Sequence, residues 1–449
     1  MGLATFKGGV HPYEGKELSE NKPVQVLMPK GDLVFPMSQG IGAPANPLVK
    51  KGDRVLAGQI IGEAGGFISA NVICSVSGTV KAVEPRRVAS GGMVNSVVVE
   101  NDGQYEAVEG MGADRDPATL SKQEIRDIVK AAGIVGMGGA GFPTNVKLSP
   151  KNEDAIEYIL INGAECEPYL TSDYRCMMED PEKIIGGLKV VLQLFDKAKG
   201  VIGIENNKPE AIKKLKELVK DEPRIEVCEL LTKYPQGGER SLIYAVTGRS
   251  VNSSMLPADA GCIVDNIGTV IAIYDAVCKT TPLIERVFTV TGDAIADPRN
   301  FRIKIGTNTQ ELIEAAGGFK SEPEKVISGG PMMGFAMFDL DVPVIKTNGS
   351  VLCMTKDQVA ASVETPCIRC GKCVSACPSH IVPVMMMKAA LKGDCDTFEK
   401  LNGMECMECG SCTFVCPAKR PLTQAFKEMR KTVAANRRKK AQGGKVNHG

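Results

Sequence analysis

Tryptophan is absent from these 449 residues, histidine occurs three times, and aromatics make up 5%. Without aromatic platforms, base stacking on single-stranded nucleic acid is not an expected function. No histidine sits in an H-E-x-x-H or triad setting, so no hydrolase site is read and no catalytic acid or base is assigned. No apolar run reaches the roughly 18–20 residues needed to cross a bilayer. The opening "MGLATFKGGVHPYEG" has no apolar h-region, so no secretory leader is expected. Neither sign of charge dominates: the net charge is +1, but Lys427–Gly449 holds eight Lys/Arg against one Glu, which leaves the rest at −6. Residues 426–449 therefore read as a basic, disorder-prone tail that meets anionic headgroups, an acidic partner or only solvent. A nucleic-acid partner is not expected, because the basic charge is confined to that tail.

Cysteine, by contrast, is plentiful at 16. Without a leader these read as reduced thiols or metal ligands, not a disulfide framework. Cys367, Cys370, Cys373 and Cys377-Pro378 form one run; Cys406, Cys409, Cys412 and Cys416-Pro417 repeat it. Each has the spacing of bacterial ferredoxins for a [4Fe–4S] cluster. Three thiolates on one tight loop wrap three corners of the cube, and the fourth must come from elsewhere. In two-cluster ferredoxins the fourth cysteine of each run serves the other cluster. Cluster one is thus assigned Cys367, Cys370, Cys373 and Cys416, and cluster two Cys406, Cys409, Cys412 and Cys377. Zinc knuckles lack this triplet rhythm. The other eight cysteines share no spacing and read as buried thiols. His380 reads as a packing or solvated residue, and Met385 to Met387 as apolar packing against the clusters.

The fold class expected is a multidomain α/β plus β chain. After an N-terminal segment (1–25), residues 26–115 carry short Val/Ile runs broken by Gly, Pro and Asn, as in an all-β unit. "NPLVKKGDRVLAGQIIGEAG" followed by "SVSGTVKAVE" resembles the barrel-sandwich fold of biotinyl and lipoyl domains. The modified lysine of those domains is missing, so a structural or docking barrel is expected. Residues 116–285 alternate helix and strand patterns, which implies a mostly parallel sheet. Residues 286–345 read as a β-grasp module, 346–362 as a linker, and 363–425 as an α-helical two-cluster ferredoxin-like domain.

"GMGGAGFPTNVK" (136–147) contains G-x-G-x-x-G, but a helix pattern precedes it, where a Rossmann fingerprint needs a strand. Its glycines are read as a backbone approach to a phosphate or a flat ring, with Lys147 as the cation. Three further polar pieces follow: Asn162-Gly-Ala-Glu165-Cys-Glu167 after the strand "IEYILI", Tyr234-Pro-Gln-Gly237-Gly238-Glu239-Arg240, and Asp265-Asn266.

In order and spacing these pieces resemble the flavin-carrying subunit of respiratory complex I. Gly136, Gly138, Gly139 and Lys147 match its glycine loop. Asn162, Glu165 and Glu167 match its N-x-x-E-x-E-P loop. Tyr234, Gly237 and Glu239 match a Tyr-Gly-Glu turn, with Gly238 inside it, and Asn266 matches an Asn-rich turn that here begins with Asp265. The resemblance implies a Rossmann-like domain that holds non-covalent FMN on these residues, with Phe142, Glu167 and Glu239 facing NADH. Met137, Ala164, Gly238 and Asp265 depart from that pattern, and the departures bear on NADH more than on FMN.

From "TFKGGVHP" (5–12) through barrel, flavin domain, β-grasp (SLBB-like) module and twin cysteine runs, the chain resembles the C subunits of Rnf complexes. That resemblance implies a peripheral subunit on the cytoplasmic face of the cell membrane, beside integral-membrane and ferredoxin-type subunits. It would oxidise NADH through FMN and two [4Fe–4S] clusters, coupled to ion translocation. Two other readings stay open: a soluble flavin/iron–sulfur cobalamin reductase, and an electron-wire subunit that binds no nucleotide.

Overall fold

The computed structural model describes residues 2–443, with side chains to 440. Its helix and strand boundaries follow local chemistry. Ser121 and Glu124 form a reciprocal capping box that starts helix Lys122–Ala131, and Gly133, at φ +65°, follows its end. Pro181 and Pro209 open the helices Pro181–Leu192 and Pro209–Leu218 at their first position.

These helices flank a four-stranded parallel sheet. Its order is Ile225–Leu230, Lys199–Glu205, Tyr158–Gly163, Cys262–Asn266. Numbered along the chain the order is 3-2-1-4, so the direction of winding reverses between Tyr158–Gly163 and Cys262–Asn266. Helix Pro181–Leu192 packs on helix Ile267–Cys278 through bare glycine. A Cβ on Gly187 would meet the Val270 carbonyl at 2.2 Å.

Two small antiparallel sheets form the N-terminal barrel around Leu33, Phe35, Ile61, Val97 and Val99. The hairpin Gly78–Arg87/Met93–Asn101 dominates it, with a register shift near Ala82. A third, six-stranded sheet makes the β-grasp module, and here two sequence-based expectations are corrected. Gln25–Leu27, of which Gln25 was expected to close the N-terminal segment and Val26 and Leu27 to open the barrel, pairs parallel with Phe301–Ile303 at this sheet's edge. Ser350–Met354, expected in a linker, is a central strand between Glu285–Thr291 and Lys325–Ser328. Its run "SVLCM" is buried on both faces, and so short a run carries no periodicity to separate it from a loop.

The C-terminal domain is duplicated. The two cysteine runs lie 39 residues apart, and so do their unusual backbone positions. Arg369 and Glu408, Gly371 and Gly410, and His380 and Lys419 are three such pairs, all at positive φ. Gly371 and Gly410 each start a short helix there, a conformation that favours glycine. Met386 and Met387 are buried with Phe398 and Phe426, whereas Met385 is exposed. The expected tail is corrected as far as it is described. Leu422–Gly443 is one helix, with Phe426, Met429 and Val433 buried at 0–5% exposure. Its basic residues mask an apolar stripe spaced for a helix. Residues 444–449 of the expected tail lie outside the described residues.

Candidate functional site

Asn162 and Asn266 are register partners at the carboxyl ends of the two strands where the winding reverses. Open α/β sheets bind ligands at that point. The glycine loop lies against it: a Cβ on Gly138 would meet the Asn266 side chain at 3.0 Å, while Gly139 faces open space. Gly138 and Gly139 are exposed, and Gly136 and Phe142 half-buried. Met137 is buried, its backbone N–H donating to Thr269 Oγ1 at 3.0 Å. A helix does precede this loop, and only a short one, Thr144–Lys147, follows it.

Lys147 Nζ donates to the Val264 carbonyl at 2.6 Å and to Asp265 Oδ1 at 2.9 Å. Asp265 is 1% exposed, and its second oxygen, Oδ2, has no hydrogen-bond partner. An orphaned buried acceptor is costly, so it suits a ligand that brings a hydroxyl or N–H. Asn266 Oδ1 accepts from Gly268 N–H at 2.9 Å, and its Nδ2 donates to Asp173 at 2.7 Å. Asn162 Nδ2 donates to the Gly237 carbonyl at 2.7 Å. A Cβ on Gly237 would crowd Cys166 Sγ at 3.2 Å and Asn162 at 3.3 Å. Gly238 opens helix Glu239–Thr247 with no side-chain cap, which leaves a positive helix end suited to a phosphate. Glu239 is solvent-accessible but walled by protein. That desolvation raises its carboxyl; Lys147 opposes the shift and Asp265 adds to it. Bare glycines, an orphaned acid, a lysine and a free helix end make a cradle that fits a flavin mononucleotide.

Three residues of the expected set are engaged with the protein itself. Glu165 accepts from the N–H groups of Asp173 (2.6 Å) and Tyr174 (3.2 Å), so it caps helix Ser172–Glu179. Glu167 accepts from Met332 (3.1 Å) and Met333 (2.8 Å) in the β-grasp module. Burial pushes both carboxyls up to about 7, although Lys16 opposes the shift at each. Tyr234 is 1% exposed and its hydroxyl donates to the Cys409 carbonyl at 2.6 Å.

Sequence reasoning missed several supports. Lys16 Nζ donates to the carbonyls of Glu165, Glu167 and Leu170 at 2.7–3.1 Å and shapes that loop. The barrel braces the glycine loop: Ile41 N–H donates to the Ala140 carbonyl at 2.9 Å, and Gly40 and Gly141 touch backbone to backbone. The segment "TFKGGVHP" runs between the flavin-site domain and the cysteine runs. Gly9 N–H donates to Ala376 at 2.9 Å and Val10 pairs with Tyr234. No local pattern in the sequence links these partners, because they lie far apart along the chain.

In the C-terminal domain one cavity is lined by Cys377 together with Cys406, Cys409 and Cys412. Burial pushes the Cys406 thiol up to about 11 and the Cys412 thiol up to about 12; Cys377 and Cys409 add charge repulsion to both. Cys373 is raised by burial and then by Cys416, so the first triplet neighbours the second run's last cysteine. Cys367 and Cys370 are exposed. Among the described residues no group of His, Cys, Asp and Glu is arranged for a single ion. Thiols spread around a cavity fit the larger, multiply charged body of an iron–sulfur cube. The remaining eight cysteines are free, five of them buried and Cys166, Cys228 and Cys395 half-buried.

Comparison with known proteins finds four successive family matches along the chain. Residues 4–104 match the RnfC barrel sandwich hybrid domain and 129–275 the Nuo51 FMN-binding domain. Residues 287–336 match the SLBB domain and 366–419 the 4Fe-4S dicluster domain. The fold is shared with NAD+-reducing [NiFe]-hydrogenase in its H2-reduced state, at TM-score 0.50 and 18% identity, over 70% of this chain and 61% of that one. The C subunit of the proton-translocating ferredoxin:NAD(+) oxidoreductase complex of Clostridium ljungdahlii is 46% identical, covering 98% of this chain and 96% of its own. Its counterpart in the Na(+)-translocating complex of Acetobacterium woodii is also 46% identical, over 97% of this chain and 98% of its own. The corresponding C subunit of the ion-translocating oxidoreductase complex of Pseudomonas aeruginosa is 39% identical over 97% of this chain, which spans 57% of that longer protein. With a barrel, a flavin cradle and twin cysteine runs, and with relatives this similar end to end, the chain belongs to the family of C subunits of ion-translocating ferredoxin:NAD(+) oxidoreductase (Rnf) complexes.

Proposed function

We propose that this chain is the NADH-oxidising, electron-input subunit of a membrane-bound, ion-translocating NAD:ferredoxin oxidoreductase complex. The observation that carries the reading is one juxtaposition. The glycine cradle at Asn162 and Asn266 and the second cysteine run share the loop Tyr234–Arg240. FMN, when bound, exchanges electrons in pairs or singly and so joins hydride chemistry to one-electron clusters.

Gly136 and Gly139 leave room for a flat ring and a phosphate, while Gly138, Gly237 and Gly238 let Asn266, Cys166, Asn162 and Met407 close in around it. Lys147, Asp265, Asn162 and Asn266 supply the polar contacts. Glu165 and Tyr234 act behind this layer, by fixing the loops. Phe142 and Glu239 at the open rim orient the nicotinamide nucleotide, while Glu167 holds the β-grasp loop in place. The clusters are held by Cys367, Cys370, Cys373 and Cys416, and by Cys406, Cys409, Cys412 and Cys377.

No helix among the described residues is long and apolar enough to cross a membrane. In this reading the chain sits peripherally, on the cytoplasmic face, beside integral-membrane and ferredoxin-type subunits. The barrel matched at 4–104 and the end-to-end relatives favour this reading over a soluble cobalamin reductase.

The test is optical. Full-length protein reconstituted with FMN and iron–sulfur clusters is mixed with NADH without oxygen, and the flavin absorption is followed. Bleaching with about one flavin per chain is expected. Bound flavin that NADH leaves oxidised would sink the reading and favour a nucleotide-free electron wire.

A further inference from the structure

We infer that Lys346 positions the glycine loop for its flavin, by fastening the barrel to the segment that leads into residues 136–141. This rests on the FMN site proposed above and assigns part of its affinity to a residue outside the cradle.

Lys346 lies just ahead of the central β-grasp strand Ser350–Met354 and is 2% exposed. Its Nζ donates to the Asn71 carbonyl of the barrel and, at 2.7 Å, to the Gly133 carbonyl of the flavin-site domain. Gly133 stands between helix Lys122–Ala131 and the glycine loop. A Cβ on Gly133 would meet the Asn71 carbonyl oxygen at 2.5 Å and Lys346 Nζ at 2.8 Å, so a bare glycine lets the three segments meet. Asn71 Nδ2 donates in turn to the Ala131 carbonyl at 3.3 Å.

The far side of the loop is held by the same neighbours. Lys346 N–H donates to Gln39 Oε1 at 3.1 Å, and Thr347 Oγ1 donates to the Gln39 carbonyl at 3.3 Å. Beside Gln39, Gly40 packs on Gly141, where a Cβ would meet Thr347 Cγ2 at 2.7 Å. The loop is thus pinned from outside at Gly133 and at Ala140–Gly141, while Gly138 and Gly139 between them stay exposed. A free glycine-rich loop samples many backbone shapes. A ligand that needs one shape binds more weakly in proportion to how seldom that shape occurs.

The fastening also responds to protons. Arg286 touches Lys346, its Nη1 donating to the Lys346 carbonyl. Of the other charged residues on the surrounding elements, Glu63 and Lys130 are exposed, and Glu285 pairs with Lys304 at 3.0 Å. Burial, with no acid to oppose it, pushes the Lys346 amine from its ordinary 10.5 down to about 7. A neutral amine has two N–H bonds, one for each carbonyl it meets. Between about 7 and 10.5 the fastened chain holds the amine neutral, whereas an opened one takes up a proton. The fastened form therefore gains as pH rises above about 7 and loses that gain as pH falls back to it.

The test uses the full chain with its clusters, titrated with FMN and followed by quenching of flavin fluorescence. Lys346→Met keeps the stem and removes the donor. If the unfastened loop holds the binding shape a tenth of the time, affinity falls about tenfold. Gly40→Ala places a Cβ 2.6 Å from the Gly141 carbonyl and should weaken FMN in the same way. The double variant should be no weaker than the poorer single one, because both undo one arrangement. The unaltered chain should release FMN about threefold more slowly at about pH 9 than at about pH 7, and Lys346→Met at equal rates. Unchanged affinity in Lys346→Met, or the unaltered chain's pH slope kept in it, would overturn the role given to Lys346. Where that variant yields no folded protein, a release rate flat with pH in the unaltered chain overturns it. If the unaltered chain binds no FMN, the functional reading falls instead. Amide hydrogen exchange of residues 134–141 then decides, with faster exchange in Lys346→Met expected and equal exchange overturning the fastening.

Discussion

Glu167 is a half-buried carboxyl that reaches from the flavin-site domain to the β-grasp module, and its charge state links stability to pH. Burial holds it up to about 7, above its ordinary 4.5. Between those values the folded chain keeps a proton that the unfolded chain has released. Its stabilising contribution is fully present below pH 4.5 and is lost as pH rises through about 7. Glu165 acts in the same sense. Glu167→Gln cannot ionise and retains one acceptor for the Met332–Met333 backbone. Its melting temperature should fall less steeply than the unaltered protein's from pH 4.5 to about 7; calorimetry across that range checks it, and identical slopes would refute it.

Among elements, the two cysteine runs and the last helix form one unit. Cys377 lies with the second triplet and Cys416 beside Cys373, which is the arrangement that the proposed crossed ligation requires. Cys416→Ala should remove the EPR signal of the cluster held by Cys367, Cys370 and Cys373. Loss of only the other signal would show that ligation is not crossed. Helix Leu422–Gly443 covers this unit, with Phe426 at 0% exposure against Phe398. Phe426→Ala should cost about 3–5 kcal/mol in denaturant unfolding of the cluster-bearing domain. A cost near zero would return this segment to the role of a dispensable tail.

Across the whole molecule the N-terminal strap holds flavin-site and cluster domains together. Gly8 and Gly9 both lie at φ +85°. A Cβ on Gly8 would meet the Cys377 carbonyl at 2.9 Å, and one on Gly9 the Tyr234 carbonyl at 2.7 Å. Lys233 stitches the strap from the other side, with Nζ 4.1 Å from the Phe6 ring centroid. Gly8→Ala places a side chain where both backbone and space refuse it. The backbone term alone is about 1–2 kcal/mol. Lower stability and faster cluster loss on dilution are expected, both read from cluster absorbance; unchanged values would show that the strap is not a clamp.

The family, the fold class and the kinds of cofactor were legible in the amino-acid order alone. Those features are local: thiols at fixed short spacing, glycines beside a proline, and a capped helix ahead of a loop each carry their reason within about a dozen residues. Long-range packing settled the rest. It put Gln25–Leu27 and Ser350–Met354 in one sheet, set Gly40 of the barrel against Gly141, and gave Glu165 and Glu167 backbone N–H partners in distant segments. It also made a packed helix of the basic tail. The physical reason is common to all of them. Which buried donor meets which acceptor, and which apolar stripe is covered, depends on partners far away along the chain, and a residue's own neighbours carry no record of them.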